Sequence, residues 1–343
     1  MKKLVLGLLA LGLAGCDIPT EPPIFEPRLV FDAERTTLSV SQLLPTSVSV
    51  QGNSFLVNLS ATSVTRTLGE ICPPCAPFNG MTVPKPAFTA TLPTATFSLP
   101  AGVRSAVLSN SVLNVQFFNG FSFDPIRPSA TARGTIAVRI TAGATVIADT
   151  TLSGTSLALP PGQTSTVPIA LRPGTVTNAS SINLDATITS PAGDPTVINT
   201  SAQFRLTPLS ALVSSAIVDV LNRNVSVTQV ALDLADIDAD VIDHVKSGAL
   251  VVLMDNPFGV TGTLTLRFTP AVVTTKAVQI APGSTTQRVQ FTQAELRQLL
   301  GRSVIVNISG PVNAPGTGVN LSPGQLANVT LRLDLVLTSA DTN

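Results

Sequence analysis

Residues 113–121 read LNVQFFNGF, and residues 250–258 read LVVLMDNPF. In the first, Leu113, Val115 and Phe117 alternate with other residues; in the second, Leu250, Val252 and Met254 hold the same places. A polar break follows at Asn119 and Asn256, then Phe121 in one copy and Pro257 and Phe258 in the other, with Gly120 where the second copy has the proline. Side chains two apart share one face of an extended strand, so each stretch predicts a strand with an apolar side and an abrupt end. A second pair of blocks follows in the same order: GTIAVRIT at 134–141 and GTLTLRFT at 262–269, with Arg139 matching Arg267. The first copy carries nine more residues between its blocks, including FDPIRPSA, so its connecting loop is longer. Two blocks repeated in order predict an internal duplication. A third likeness, LPPGQTSTVPIAL at 159–171 with LSPGQLANVTLRL at 321–333, lies at a different offset. Pro-Gly in each suits a type II turn, where glycine supplies the positive φ that other residues resist.

Working outward, TLSVSQLL, SVSVQG and SFLVNLSATSV continue the alternation, punctuated by Gly, Pro and Asn. Only 12% of the 343 residues are charged, while 44% are hydrophobic, a balance that suits exported β structure. The expected fold is all-β, mainly antiparallel, with immunoglobulin-like β-sandwich modules and two short helices. One helix is predicted in FTQAELRQLLG, where Thr292 and Glu295 form a capping box, Phe291 and Leu296 a hydrophobic staple, and Gly301 the stop. The other is predicted in DIDADVIDHVKSG, with Ile237, Val241 and Val245 on one face and Gly248 beyond the last turn.

The N-terminus, MKKLVLGLLALGLAGC, has two lysines, a short apolar run and small residues before Cys16. The run is too short to span a bilayer and has the form of a secretory signal. LAGC at 13–16 resembles the bacterial lipobox, which implies cleavage before Cys16 and lipid on its thiol and amine. Several acyl chains on one residue would anchor the chain to a membrane of the cell envelope. Cleavage leaves 18 basic and 20 acidic side chains, a formal charge of −2. With no basic block, and 14 Phe but no Trp or Tyr, no nucleic-acid partner is expected. The missing Trp and Tyr also weaken a sugar-binding reading. The plan is then a signal at 1–15, a Pro-rich tether at 16–28 reaching about 35 Å in polyproline form, an N-terminal β segment at 29–98, and sandwich modules at 99–207 and 208–341.

A strand ending in Asn-Pro-Phe, a Gly-led strand, and a Pro-Gly turn into a TVPI-like strand resemble the late-embryogenesis-abundant type 2 (water-stress and hypersensitive-response) domain. The likeness covers 60 to 90 residues around Asn256 and, more faintly, Asn119. It implies an immunoglobulin-like sandwich connected with stress tolerance and without enzymatic activity.

The inventory for catalysis is thin. His244 is the only histidine and reads as a solvated helix residue, and a single imidazole cannot build a His-rich metal site. No G-x-S-x-G elbow, Walker motif or dinucleotide fingerprint occurs. Asp236, Asp238 and Asp240 occupy the first, third and fifth places of a calcium loop, but Val241 stands where glycine is needed and Ser247 where a bidentate Glu is needed. Asp238 is better placed as a helix N-cap. Neither enzyme activity nor a cofactor or metal is expected. In GEICPPCAPFNG, residues 69–80, a zinc site lacks its second pair and haem attachment lacks a histidine at Ala76. A redox couple needs a helix N-terminus where Pro73, Pro74 and Pro77 argue for a loop, and a local Cys72–Cys75 disulfide is expected. The functional expectation is a non-enzymatic structural or protein-interaction module anchored through Cys16. The alternative is a carrier of a lipid or other apolar ligand in an elongated β groove.

Overall fold

Alternation of buried and exposed residues runs through nearly every strand of the computed structural model, which describes residues 26–338 except Glu34, Ala61 and 270–274. The strand Val112–Asn119 buries Leu113, Val115, Phe117 and Asn119, and Val245–Asn256 buries Leu250, Val252, Met254 and Asn256, as the repeated blocks predict. Each apolar side chain so removed from water contributes about 1.5–3 kcal/mol, which is what drives two sheets to close on one another.

Two antiparallel sandwiches result. In the first, one sheet runs Gln163–Ala170, Val112–Asn119, Gln203–Val213, Ser54–Asn58, Val48–Gln51, with Val64–Thr67 also paired to Gln203–Val213. Its facing sheet runs Thr145–Ser153, Thr135–Ala142, Ile182–Ser190, Phe88–Thr91, with Ala95–Phe97 also on Ile182–Ser190. In the second sandwich, one sheet runs Arg28–Asp32, Leu326–Leu337, Val245–Asn256, Gly283–Phe291, with Thr36–Ser39 also on Leu326–Leu337. The other runs Arg223–Asp233, Ser303–Asn313, Thr261–Thr269, Thr275–Ile280.

Pairing therefore crosses the expected boundaries. Segment 29–98 does not form a unit of its own: its first two strands complete the second sandwich, and those from Val48 to Phe97 belong to the first. The first sandwich is thus inserted between two parts of the second. A further sheet of Gly174–Thr177, Val103–Leu108, Ser215–Val218 and Val319–Leu321 joins them, and Arg104 Nε donates to Asp219 Oδ1 there at 2.5 Å.

Gln293–Leu299 is the predicted helix, with both capping-box bonds present: Thr292 N to Glu295 Oε2 at 2.7 Å and Glu295 N to Thr292 Oγ1 at 3.3 Å. Gly301 adopts φ +69° beyond it. The other helix is shorter than predicted. It spans only Ala239–Asp243, with Asp238 at the N-cap position but making no side-chain cap bond. Val245 already belongs to a strand, and Gly248 is a strand residue, not a helix stop. The β-branched run pairs with Leu326–Leu337, and a Cβ on Gly248 would stand 2.7 Å from Leu335 Cδ2 and 2.9 Å from Leu296 Cδ2. A one-turn helix at Leu68–Ile71 was not expected; Glu70 Oε2 accepts from Thr67 N at 2.7 Å and Thr67 Oγ1 at 3.0 Å.

The edges of the sheet from Arg223–Asp233 to Thr275–Ile280 are partly plugged by glutamines. Gln42 gives its amide to Ser226 O and takes Ser226 N–H, both at 2.7 Å. Gln287 does the same to Gln279, accepting from its N–H at 2.8 Å and donating to its carbonyl. An open strand edge invites pairing with another chain, and a carboxamide docked in it occupies those groups.

Candidate functional site

The repeated asparagines are structural hubs. Asn119 is fully buried; its Nδ2 donates to Phe123 O at 2.9 Å and Leu159 O at 2.7 Å, and its Oδ1 accepts from Phe121 N at 3.0 Å. Asn256 repeats the arrangement with Val260 O at 2.8 Å, Ala281 O at 3.0 Å and Phe258 N at 3.2 Å. A buried amide must satisfy both its donor and its acceptor, and here it ties the strand end to its own corner and to the next turn. The carbonyl partners correct the third sequence likeness. The counterpart of the turn at Leu159 is the one at Ala281, not the one at Leu321. Gly162 and Gly283 both have positive φ, at +68° and +78°, whereas Gly324 is not among the positive-φ residues. Phe121 and Phe258 both lie in the core at 1% and 2% exposure. Gly120 N continues the ladder to Gln203 O at 2.8 Å, a bond Pro257 cannot make.

Cys72 and Cys75 are fully buried, with sulfurs at disulfide distance, 1.99 Å, and Cα atoms 5.3 Å apart. They sit where the one-turn helix gives way to the 3₁₀ helix Pro73–Phe78, in place of the irregular loop expected. Cys16 lies outside the described residues. His244 is exposed at the end of the short helix, its Nδ1 2.6 Å from Asp240 O. Among the described residues, no group of three or more His, Cys, Asp or Glu side chains is placed to hold a metal ion. No described helix is long and apolar enough to cross a membrane.

Sequence reasoning missed Lys85. It is 1% exposed, lying beneath the long corner loop that distinguishes the first copy. Its Nζ donates to Ser190 Oγ at 2.5 Å and to Pro191 O, and stands 4.7 Å from the Phe88 ring centre and 5.3 Å from that of Phe123. Ser190, equally buried, donates onward to Pro125 O in that loop. Burial draws the Lys85 ammonium from its ordinary 10.5 down to about 7. Asp124 fastens the same loop by accepting from Ile126 N, Arg127 N and Leu159 N. A lysine–serine pair of this kind has the parts of a base and a nucleophile, but with both at 1% exposure no substrate reaches it. The only available signal was a lysine between two prolines in a chain with five lysines.

The apolar cavity between the sheets of the first sandwich, lined by Val57, Leu113, Ile140, Ile182 and Val213 among others, holds about 30 Å³. That is well below the roughly 150 Å³ of a cavity that takes up one benzene. No acyl chain fits there.

No family model matches the chain, and no curated protein matches it. Among solved structures, a protein of Parabacteroides distasonis ATCC 8503 described as a candidate secreted protein is 8% identical with a TM-score of 0.37, over 90% of this chain and 99% of that one. The infectious bursal disease virus Gt strain structure is 8% identical at TM-score 0.20, over 99% of this chain and 48% of the other. Cowpea mosaic virus top component is 10% identical at TM-score 0.20, over 86% and 93%. At such scores these likenesses carry nothing about function.

Proposed function

We propose that this chain is an exported, lipid-anchored envelope protein that acts without catalysis, as a structural or protein-interaction module. The observation that carries the reading is where the tether leaves the folded part. Arg28–Asp32, the first strand after the Pro-rich segment, pairs along its whole length with the last strand, and Leu337 N donates to Pro27 O at 3.0 Å. A chain held at Cys16 would hang from the second sandwich by a strand locked into a sheet, not by a frayed end. The inserted first sandwich has no terminus of its own. The small interior cavity supports a filled core in the first sandwich over a ligand-carrying groove there, which weighs against the apolar-carrier alternative. The likeness to the late-embryogenesis-abundant type 2 domain belongs to this finer reading and adds a sandwich without an enzymatic role.

The test is the mass of the N-terminal peptide and the fractionation of the protein in its host. The reading expects an acylated Cys16 and a membrane-bound protein, and a Cys16→Ser form that is released or left unprocessed. An unacylated Cys16 with unchanged fractionation would refute the anchor. Site-specific photo-crosslinking from exposed positions of both sandwiches tests the second half; an absence of any cross-linked envelope protein would count against an interaction role.

A further inference from the structure

The outer face of the second sandwich carries a shallow concavity of about 590 Å³ lined by Thr265, Arg267, Thr269, Thr275, Asn307 and Ser309. All six are polar and none is acidic. Among the described residues, none of these six side chains has a hydrogen-bond or ion-pair partner. The duplicated copy gives an internal comparison. Arg139, the counterpart of Arg267, has Asp149 and Asp185 as its cross-strand neighbours. Arg267 has Thr275 and Asn307 in those places. The outer face of the first sandwich is partly paired within itself: Thr94 Oγ1 donates to Asp185 at 2.5 Å, Thr96 Oγ1 to Asn183 at 2.9 Å, and Thr91 and Thr187 share a bond at 3.1 Å, while Arg139, beside its two acids, makes no hydrogen bond or ion pair of its own. On the second sandwich such pairing stops at Thr263, whose hydroxyl meets Gln279 at 3.1 Å. Beyond it the arginine is kept while its two acids are gone. The local charge changes sign from one copy to the other.

We propose that this face binds the carboxylate of an acidic glycan, with Arg267 as its anchor. A guanidinium offers a planar fork that a carboxylate can meet with two parallel bonds. The flanking hydroxyls and the Asn307 amide supply donors and acceptors for the hydroxyls of a sugar ring. From Thr265 to Thr269 is about 13 Å along the strand, and the three strands span about 10 Å across, an elongated footprint open to solvent. The interior strand's backbone groups are taken up by the ladders on both sides, so recognition falls to side chains. With no Trp or Tyr to stack a sugar ring, the hold comes from the carboxylate and from bonds to the ring hydroxyls, not from an aromatic platform.

The test uses the full mature chain in detergent and oligogalacturonate as probe, followed by calorimetry. Saturable, salt-sensitive binding is expected, weakened about tenfold or more in Arg267→Ala, as for loss of a charge-assisted bond. The double variant Thr275→Asp and Asn307→Asp keeps the arginine but restores the acids that flank Arg139, and it should abolish binding with an unchanged melting temperature. Arg139→Ala should bind like the unaltered chain. Full methyl esterification of the probe should remove binding. Failure of oligogalacturonate to bind at millimolar concentration, equal binding by either Arg267 variant or the double variant, or equal binding of the methyl ester would overturn the proposal. Equal competition by inorganic phosphate would overturn the assignment to a glycan. None of these readouts depends on whether Cys16 carries lipid.

Discussion

Lys85 makes the stability of the first sandwich depend on pH in an unusual window. Its ammonium is enclosed by two phenyl rings, a serine hydroxyl and a carbonyl, with no carboxylate among its bonded partners. Burial lowers its folded-state value from 10.5 to about 7. The unfolded chain therefore binds more protons than the folded one between pH 7 and 10.5, and stability rises with pH across that interval. Below pH 7 both states are protonated and the penalty is present in full. A displacement of about 3.5 pH units corresponds to about 5 kcal/mol, a large share of the 5–15 kcal/mol typical of a domain. Lys85→Met removes the titrating group and leaves Pro191 O short of a partner, at a cost of about 1–3 kcal/mol. The variant should be more stable than the unaltered chain by about 2–4 kcal/mol at pH 6 and less stable by about 1–3 kcal/mol at pH 10.5. The curves should cross in between. Urea denaturation at steps of pH from 6 to 10.5, read by circular dichroism, measures both curves. The chain has no tyrosine to titrate in this window, and the other described lysines, Lys246 and Lys276, are paired with Glu26 and Glu295. A flat curve for the unaltered chain, or one of the same slope in Lys85→Met, would refute the reasoning.

Asn256→Ala should cost about 3 kcal/mol in chemical denaturation, because two buried backbone groups and a part-buried one lose their partner together; a loss under about 1 kcal/mol would mean the corner does not need its hub. Gly154→Ala should destabilise by about 2 kcal/mol or more, since its Cβ would lie 2.0 Å from Ile126 O, whereas Gly174→Ala, with nothing within 4 Å, serves as the silent control in the same melts. Burial pushes the Glu295 carboxyl up, but bonds from Lys276 at 2.8 and 2.9 Å and from the Thr292 N–H hold it below its ordinary 4.5. Its stabilisation is thus present above that value and lost as pH falls through the lowered one, so Glu295→Gln should flatten the acid limb of the stability curve. Unfolded but unreduced protein should take up no alkylating label at Cys72 or Cys75, and labelling of both would remove the disulfide.

Strand faces were readable because period two in the sequence is the same quantity as burial on a sheet. The paired blocks with Asn119 and Asn256 gave the duplication for that reason. What could not be read was which distant strand each one joins. Leu29 to Ser39 alternate as well as any other segment, yet only their pairing to Leu326–Leu337 shows that the first sandwich is an insertion. The short helix was overextended to Gly248 because Val241 and Val245 fit a helical stripe locally, and the sheet claims Val245 through partners some 90 residues away. Thr67 and Glu70 carried a capping-box signature that the surrounding strand pattern obscured. Lys85, Gln42 and Gln287 carry no periodic signal, since each acts through a tertiary contact.

The two copies share what burial enforces and differ where solvent gives latitude. Both keep the asparagine hub, the phenylalanine beside it and the glycine opposite a carbonyl, Gly134 against Thr189 and Gly262 against Pro311. They diverge at three surfaces. The first copy's corner loop is longer and pinned from below by Lys85 and Ser190. Where the first has the strands Val103–Leu108 and Gly174–Thr177, the second has the helices Ala239–Asp243 and Gln293–Leu299. Those strands build the sheet that joins the two sandwiches, whereas the helices make their own ion pair, Arg297 with Asp243 at 3.8 Å. The third difference is the acid pair around Arg139 and its loss around Arg267. The first copy's pinned loop and bridging strands tie it to the rest of the chain, whereas the acids beside Arg139 only change the charge of its outer face. On the proposed reading, the second copy is therefore the one whose outer face is open to a partner.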